Sequence, residues 1–300
     1  MAPSEPRDAL PDGVRLRRLR DADIAQALSL SQEAGWNQVA ADWRIFLDLG
    51  EAYGLTVDGE RLIATAAILP HGDRLGWISM VLVSAAQRRR GLARFLLRHS
   101  IAALAARRLV PVLDATPVGR AVYLGLGFAD CWSMRRLVLR QPLAVGIQAE
   151  GSVPEADGVT VRPLDAADWP AAIAYDRAVF GADRGALLRR LAERLPQGAL
   201  VAERRGRITG LLLGRDGRVM SQLGPLVAED DAVAQALLRR ALAAVRAPLA
   251  VDVADRHVRF SEWLGRLAFT AERPLTRMVH GGSGFGDPAR LFAIAGPELG

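Results

Sequence analysis

The order of elements predicted for the first half of this chain returns, element by element, in the second. Residues 14–18 read as a strand, and residues 21–32 as a helix opened by a capping Asp, with apolar side chains at helical spacing. Residues 53–57 and 62–69 flank Asp58-Gly59, the dipeptide of a type I′ hairpin. A third strand over 75–83 leads through a loop into a helix over 91–108. A short buried strand at 111–113 follows, then a helix that begins at Pro117 and ends at Gly127-Phe128. Residues 159–165 repeat the first strand and its helix-opening Asp. Residues 199–203 and 208–213 flank a turn at Arg205-Gly206, and 219–227, 232–245 and 249–253 repeat the central strand, its helix and the next strand. Residues 260–267 read as a helix and 269–278 as a final strand. A repeat of about 145 residues, detected by element order, points to one fold duplicated or fused. Residues 140–158 carry two prolines and no periodicity, as a connection between cores does. The expected organisation is a first domain over 12–140, a linker over 141–158 and a second domain over 159–300. Three hundred residues, half of them hydrophobic, suffice for two such cores.

The two copies differ where chemistry would be expected. Residues 77–97, WISMVLVSAAQRRRGLARFLL, read as buried strand, loop and amphipathic helix, with the spacing Arg88-x-x-Gly91-x-Ala93 in the loop. A strand feeding a loop at a helix N-terminus aims unpaired backbone N–H groups and the positive end of the helix dipole at one spot. Gly91 and Ala93 leave room for an anion, such as a pyrophosphate, to reach that backbone. Neither G-x-x-x-x-G-K-[ST] nor a strand followed by G-x-G-x-x-G is present. The loop resembles the acyl-coenzyme A pyrophosphate loop of the GNAT acetyltransferases, Gln/Arg-x-x-Gly-x-Gly/Ala, and Tyr123-x-x-x-Gly127-Phe128 resembles that family's Tyr-x-x-x-Gly-Phe signature. The resemblance implies an α+β protein of two tandem GNAT-like domains, each a mixed, mostly antiparallel sheet flanked by helices. It also implies acetyl-CoA as acyl donor, held by Val81, Leu82 and Val83 of the strand and by Arg88, Arg89, Arg90, Gly91, Leu92 and Ala93 of the loop. In the second copy the loop reads Ala228-Glu229-Asp230-Asp231-Ala232-Val233, whose carboxylates suit a helix N-terminus but would repel a phosphate. The second half therefore reads as a GNAT-like fold without the coenzyme loop, and its segments Tyr175-Asp176-Arg177, Phe180-Gly181-Ala182-Asp183-Arg184 and Gly224-Pro225-Leu226 resemble the C-terminal domain of bacterial tandem GNAT proteins. A soluble fragment ending at Arg140 would then be expected to bind acetyl-CoA but lose acceptor turnover, unless burial against the second domain is needed for folding.

Acyl transfer to an amine needs a polarised carbonyl, a deprotonated amine and a proton for the departing thiolate. By the resemblance, backbone N–H groups of Val81 and Val83 face the thioester, and Tyr123 lies near the sulfur as the proton donor, or packs against the pantetheine arm. Asp114, at the carboxyl end of the strand before Pro117, reads equally as a base for the ammonium and as a helix cap. Trp36, Asn37, Gln38, Asp42 and Trp43 fall between the first two helices, the region that forms one wall of the acceptor site in the family. Aromatic rings and a carboxylate suit a small cationic amine, although Trp43 reads equally as core. His71 sits in Pro70-His71-Gly72-Asp73, which reads as an exposed hairpin tip, and His99 reads as a surface or partly buried helical residue. Arg177, Asp183, Arg184, Asp252 and Arg273 of the second half could face the same site, though such charges usually mark solvated element ends. Residues 281–286, GGSGFG, precede Asp287-Pro288 rather than a helix and read as a turn.

The net charge of +6 is carried by arginine alone, interleaved with acids and few aromatics, so a nucleic acid partner is not expected and a phosphate-bearing coenzyme accounts for the local basic patch. No apolar run approaches the ~20 residues that span a bilayer, and the polar, Pro-rich start is not a secretory leader. One cysteine, Cys131, allows neither an internal disulfide nor a cysteine-based zinc cluster. The expectation is a cytoplasmic N-acetyltransferase, needing no metal, whose partner is a small-molecule amine. A non-catalytic acyl-CoA sensor, and a tandem acyltransferase for a peptide or thiol precursor, are the rival readings.

Overall fold

The computed structural model describes residues 10–143, 158–282 and 284–300; most of the expected linker, and Ser283 of the Gly-rich run, lie outside them. The first half contains β1 (Arg15–Arg18), α1 (Ile24–Glu33), α2 (Ala40–Leu49), β2 (Glu51–Val57), β3 (Arg61–His71) and β4 (Leu75–Val83). It continues with α3 (Leu92–Ala106), β5 (Val110–Ala115), α4 (Pro117–Leu124) and β6 (Phe128–Leu139). The second half repeats this order: β7 (Val159–Pro163), α5 (Trp169–Phe180), α6 (Gly185–Arg194), β8 (Leu200–Arg204), β9 (Arg207–Arg215) and β10 (Ser221–Ala228). Then come α7 (Asp231–Leu242), β11 (Leu249–Ala254), α8 (Val258–Arg266), β12 (Thr270–His280) and one strand beyond the repeat, β13 (Leu291–Ala293). The expected hairpin at Arg205-Gly206 is a two-residue turn with both residues left-handed (φ 54° and 72°), as type I′ requires.

The repeats are not separate bodies. Their strands form one sheet in the order β1-β2-β3-β4-β5-β12-β6-β11-β13-β10-β9-β8-β7. β12 of the second half lies between β5 and β6 of the first, and β6 of the first lies between β11 and β12 of the second. Each half completes its sheet with a strand of the other. Both exchanged strands are buried along their central lengths, Met134, Leu137 and Val138 on β6 and Leu275, Met278 and Val279 on β12, so neither half closes its core alone.

Two further features position the site. The parallel pairing of β4 with β5 runs only from Leu75–Val110 to Trp77–Val112, and beyond it the strands part. Where they part, β4 bulges: Met80 and Val81 together lie opposite the single Ala66, with Met80 at φ 52° and its carbonyl accepting a bond from Thr65 Oγ1 at 2.8 Å. In the second half β10 bulges at the matching place, where Gly224 and Pro225 lie opposite Leu213. There the gap between β10 and β11 is filled, because β13 pairs with both.

Candidate functional site

Two cavities flank the gap between β4 and β5. The outer one, about 740 Å³, is lined by Val81, Leu82 and Val83 of β4, by Arg88, Arg89, Gly91, Leu92, Ala93 and Arg94 of the loop and first turn of α3, and by Val118 and Val122 of α4. Gly91 is the N-cap of α3 at φ 80°, and no side chain caps that helix, so its first-turn amides point into open space. A Cβ on Gly91 would meet nothing within 4 Å, which leaves the backbone open to an anion. Arg88 and Arg89 are exposed on the cleft. Arg90 is not part of the lining; its guanidinium is tied to the Gln87 side chain.

The inner cavity, about 260 Å³, lies between the two halves. It shares Trp36, Val81 and Val118 with the outer one, so the two meet at the bulge of β4. Tyr123 lines it from α4, whose N-cap Thr116 accepts a bond from Gly119 N, with Pro117 at the first position as expected. Gly119 makes room for the phenol ring: a Cβ there would lie 2.9 Å from Tyr123 Cε2. Burial pushes the Tyr123 phenol above its ordinary range, so it holds its proton at neutral pH.

The structure relocates several expected site residues. Asp114 reaches the cavity wall, but both its oxygens are bound by Arg277, Oδ1 to Nε and Oδ2 to Nη2, each at 2.9 Å, with both side chains fully buried. The Arg277 guanidinium is further held 4.4 Å from the Trp77 and Trp132 ring centres. Burial raises the Asp114 carboxyl above its ordinary range although Arg277 opposes it, and the pair, with both carboxylate oxygens bonded, ties β5 of the first half to β12 of the second. Asp42 and Trp43 lie within α2, not in the preceding connection. Trp43 is core, donating from Nε1 to Ser31 Oγ, and Asp42 is a buried acceptor for Arg194 and Arg215, both at 2.6 Å. Neither lines the cavity. Trp36 and Asn37 do, and Asn37 also joins the halves: Oδ1 accepts from Val219 N and Met220 N, and Nδ2 donates to Met220 O.

His71 is not an exposed tip. It ends β3, buried against Trp77 and Phe180, with Nε2 3.0 Å from Leu299 O, and burial lowers it to about 3, so it is neutral. His99 is partly buried on α3 against Tyr53. Of the second-half charges, Arg177 and Asp183 are exposed and away from the cavity. Arg184 is buried on Asp176 and Gly300 O, Asp252 lies behind the wall, and only Arg273 lines it.

The floor is a polar network that sequence reasoning missed. Arg136 of β6 clamps Asp252 of β11 at 2.8 and 2.7 Å, Gln222 of β10 donates to Asp252, and Arg215 of β9 bonds Gln222, Asp42 and Glu298. Glu298 comes from the segment after β13, which crosses from the second half to the first, where Trp77 Nε1 donates to Pro297 O at 3.0 Å. Its Oε1 accepts from Gln38 and Arg215, and no described residue bonds its Oε2. No local spacing marks Glu298 in the sequence, because its partners lie 83 and 260 positions away.

Removing Arg277 tests this tie between the halves. Arg277→Met leaves Asp114 buried without a partner, a loss of about 3–5 kcal/mol. Adding Asp114→Leu to that variant is expected to recover much of the loss in denaturant melts. A single variant no less stable than the wild type would show that the pair contributes nothing.

Comparison with known proteins agrees with this architecture. Residues 19–128 match the family model described as Acetyltransferase (GNAT) family, and residues 172–293 the one described as Acetyltransferase (GNAT) domain. An uncharacterized N-acetyltransferase of Bacillus subtilis, YitH, is 24% identical over 257 residues, 85% of this chain and 87% of its own. A candidate acetyltransferase of Pyrococcus horikoshii superposes with a TM-score of 0.77 at 19% identity, covering 97% of this chain and 98% of that one. A tandem GNAT protein from the clavulanic acid biosynthesis pathway superposes with a TM-score of 0.61 at 16% identity, over 90% of this chain and all of that one. With both halves matched by GNAT models and the whole chain superposing on a tandem GNAT structure, the chain belongs to the GNAT acetyltransferase family and carries its fold twice.

Proposed function

We propose that this chain is an acetyl-CoA-dependent N-acetyltransferase whose coenzyme lies in the outer cleft of the first half and whose acceptor, a small primary amine, lies in the inner cavity. The observation that carries this reading is the meeting of the two cavities at Trp36, Val81 and Val118, where β4 and β5 part. The uncapped N-terminus of α3 with Arg88 and Arg89 suits a pyrophosphate, and β4 beyond Trp77 has no partner strand on the side where a pantetheine arm would run. The bulge presents the backbone at Val81 to the junction, where an N–H would stabilise the oxygen of a tetrahedral intermediate. Tyr123, protonated and lining the acceptor cavity, supplies the proton that a departing thiolate needs. Glu298, with Oε2 free, replaces Asp114 as the carboxylate that holds the ammonium and orients it.

The reading is tested by screening amines with acetyl-CoA for free thiol release. On any acceptor found, Tyr123→Phe is expected to lower kcat by ~10²–10⁴-fold with acetyl-CoA affinity little altered. An unchanged kcat, with chemistry rate-limiting, would assign Tyr123 to packing. The absence of thiol release with every amine, despite tight acetyl-CoA binding, would favour a sensor.

A further inference from the structure

Each charged side chain on the inner cavity is already matched, except one. Asp114 is bound by Arg277, Arg136 by Asp252, and Arg215 by Asp42 and Glu298. Arg273 of β12 also lines the cavity, yet it makes no hydrogen bond or salt bridge to a described residue, and its Nε is buried without a partner. Its placement on the strand compounds this. Arg273 lies directly opposite Arg136 across the β12–β6 ladder, a like-charge pair that costs stability unless something answers the charge. Asp252 is bonded to Arg136, whereas Arg273 has Asp252, Glu298 and Glu272 within electrostatic reach and a hydrogen bond to none of them. The ladder is bulged just before it, so that Glu272 has no opposite residue and Arg273 comes into register with Arg136. Burial first, and then the Arg136 charge, lower the Arg273 guanidinium from its ordinary range by more than Asp252, Glu298 and Glu272 raise it.

We propose that Arg273 binds the carboxylate of the acceptor, so that the amine to be acetylated belongs to a small amino carboxylate, an amino acid or a close relative. The proposal rests on the inner cavity being the acceptor site. It gives the two ends of the acceptor opposite partners: the carboxylate at Arg273, and the ammonium at Glu298, which lines the same cavity as Tyr123. A guanidinium suits the first role because its planar fork meets both oxygens of a carboxylate. A cavity of about 260 Å³ limits the acceptor to a compact molecule. Because the carboxylate would be recognised by a half-buried group that has no hydrogen-bond partner among the described residues, an amide or a decarboxylated amine would leave that cation without one.

The test uses the full chain loaded with coenzyme A. The probes are the twenty protein amino acids, the ω-amino acids from β-alanine to 5-aminovalerate, and the carboxamide of each. Direct binding is read by calorimetry, and turnover with acetyl-CoA by thiol release. At least one acid is expected to bind and react with kcat/KM roughly 10- to 100-fold above its amide, the range of a charge-assisted bond to a half-buried group. Arg273→Gln is expected to erase that ratio chiefly through KM, and Arg273→Lys to restore part of it. Acetyl-CoA affinity of each variant reports whether it is folded; if Arg273→Gln is not, the wild-type ratio and the Lys variant decide. Acids and amides treated alike, or amides preferred, would overturn the proposal while leaving acetyl transfer intact. Binding of acids through Arg273 without thiol release would instead keep the proposal and reject transfer. No binding of any acid would overturn it outright.

Discussion

Calorimetric titration with acetyl-CoA is expected to give one site per chain, and Gly91→Glu is expected to erase it. Two copies of the fold would suggest two sites, but the second copy differs from the first at three separate places that matter for binding. At the N-terminus of α7, Asp230 caps the helix with its own carboxylate, accepting from Val233 N at 2.9 Å, and Glu229 and Asp230 are both paired with Arg204. At the bulge of β10, Pro225 stands where β4 has Val81, and proline has no N–H to offer. The gap between β10 and β11 is closed by β13, and Ile294 O lies 2.0 Å from where a Cβ on Gly224 would be. In the first half all three positions are open. A glutamate at Gly91 would bring a charge into the space before α3 and force a left-handed backbone on a residue that disfavours it, so affinity is expected to fall by at least about 100-fold. Gly91→Ala imposes the backbone cost without the charge and is expected to lose far less. Two equivalent sites, or wild-type affinity in Gly91→Glu, would show that coenzyme binding does not depend on this loop. Reversing the acidic loop with Glu229→Arg and Asp230→Gly is not expected to create a second site, because Pro225 and β13 remain.

Local elements were legible because local forces make them. The capping Thr116 with Pro117, the left-handed pair Arg205-Gly206 and the run of β4 into the Gly91 turn each depend on residues within a few positions. The acidic character of the corresponding loop in the second half was legible for the same reason, since its three carboxylates are adjacent in sequence. What escaped was everything set by long-range pairing. Asp42 and Asp114 looked like candidate site carboxylates because carboxylates near a predicted site are read as free until a partner is seen. Their partners, Arg194, Arg215 and Arg277, lie 152, 173 and 163 positions away. His71 looked exposed because Gly72-Asp73 marks a turn, and its cover is the segment around Leu299, far along the chain. β13 carries no period of its own and is a strand only because β10 and β11 leave it a slot. The exchange of β6 and β12 is likewise invisible to any reading that takes each repeat by itself.

That exchange bears on the condition set for residues 1–140, that folding should not need burial against the second half. Without the second half, β5 and β6 lose the strand between them, and each exposes a ladder that the full chain pairs with β12 over Val112–Ala115 and Phe128–Val138. The fragment also strands buried charges: Asp114 loses Arg277, and Asp42 loses Arg194 and Arg215. Each such loss is worth about 3–5 kcal/mol, and two of them approach the whole stability of a typical domain. Residues 1–140 expressed alone are therefore expected to be insoluble or to lack a cooperative melt, and to bind no acetyl-CoA. A chain severed between Leu143 and Gly158 is expected to behave otherwise, since the cut removes no strand and no ion pair among the described residues. Co-expressed pieces 1–143 and 158–300 are expected to copurify as a one-to-one complex that melts in a single transition and binds one acetyl-CoA. A soluble 1–140 fragment with a cooperative melt and the affinity of the full chain would mean that β5 and β6 can close on each other, leaving the first half a domain in its own right. The pairing of severed halves would instead make the two GNAT folds one cooperative unit, with the inner cavity existing only where both are present.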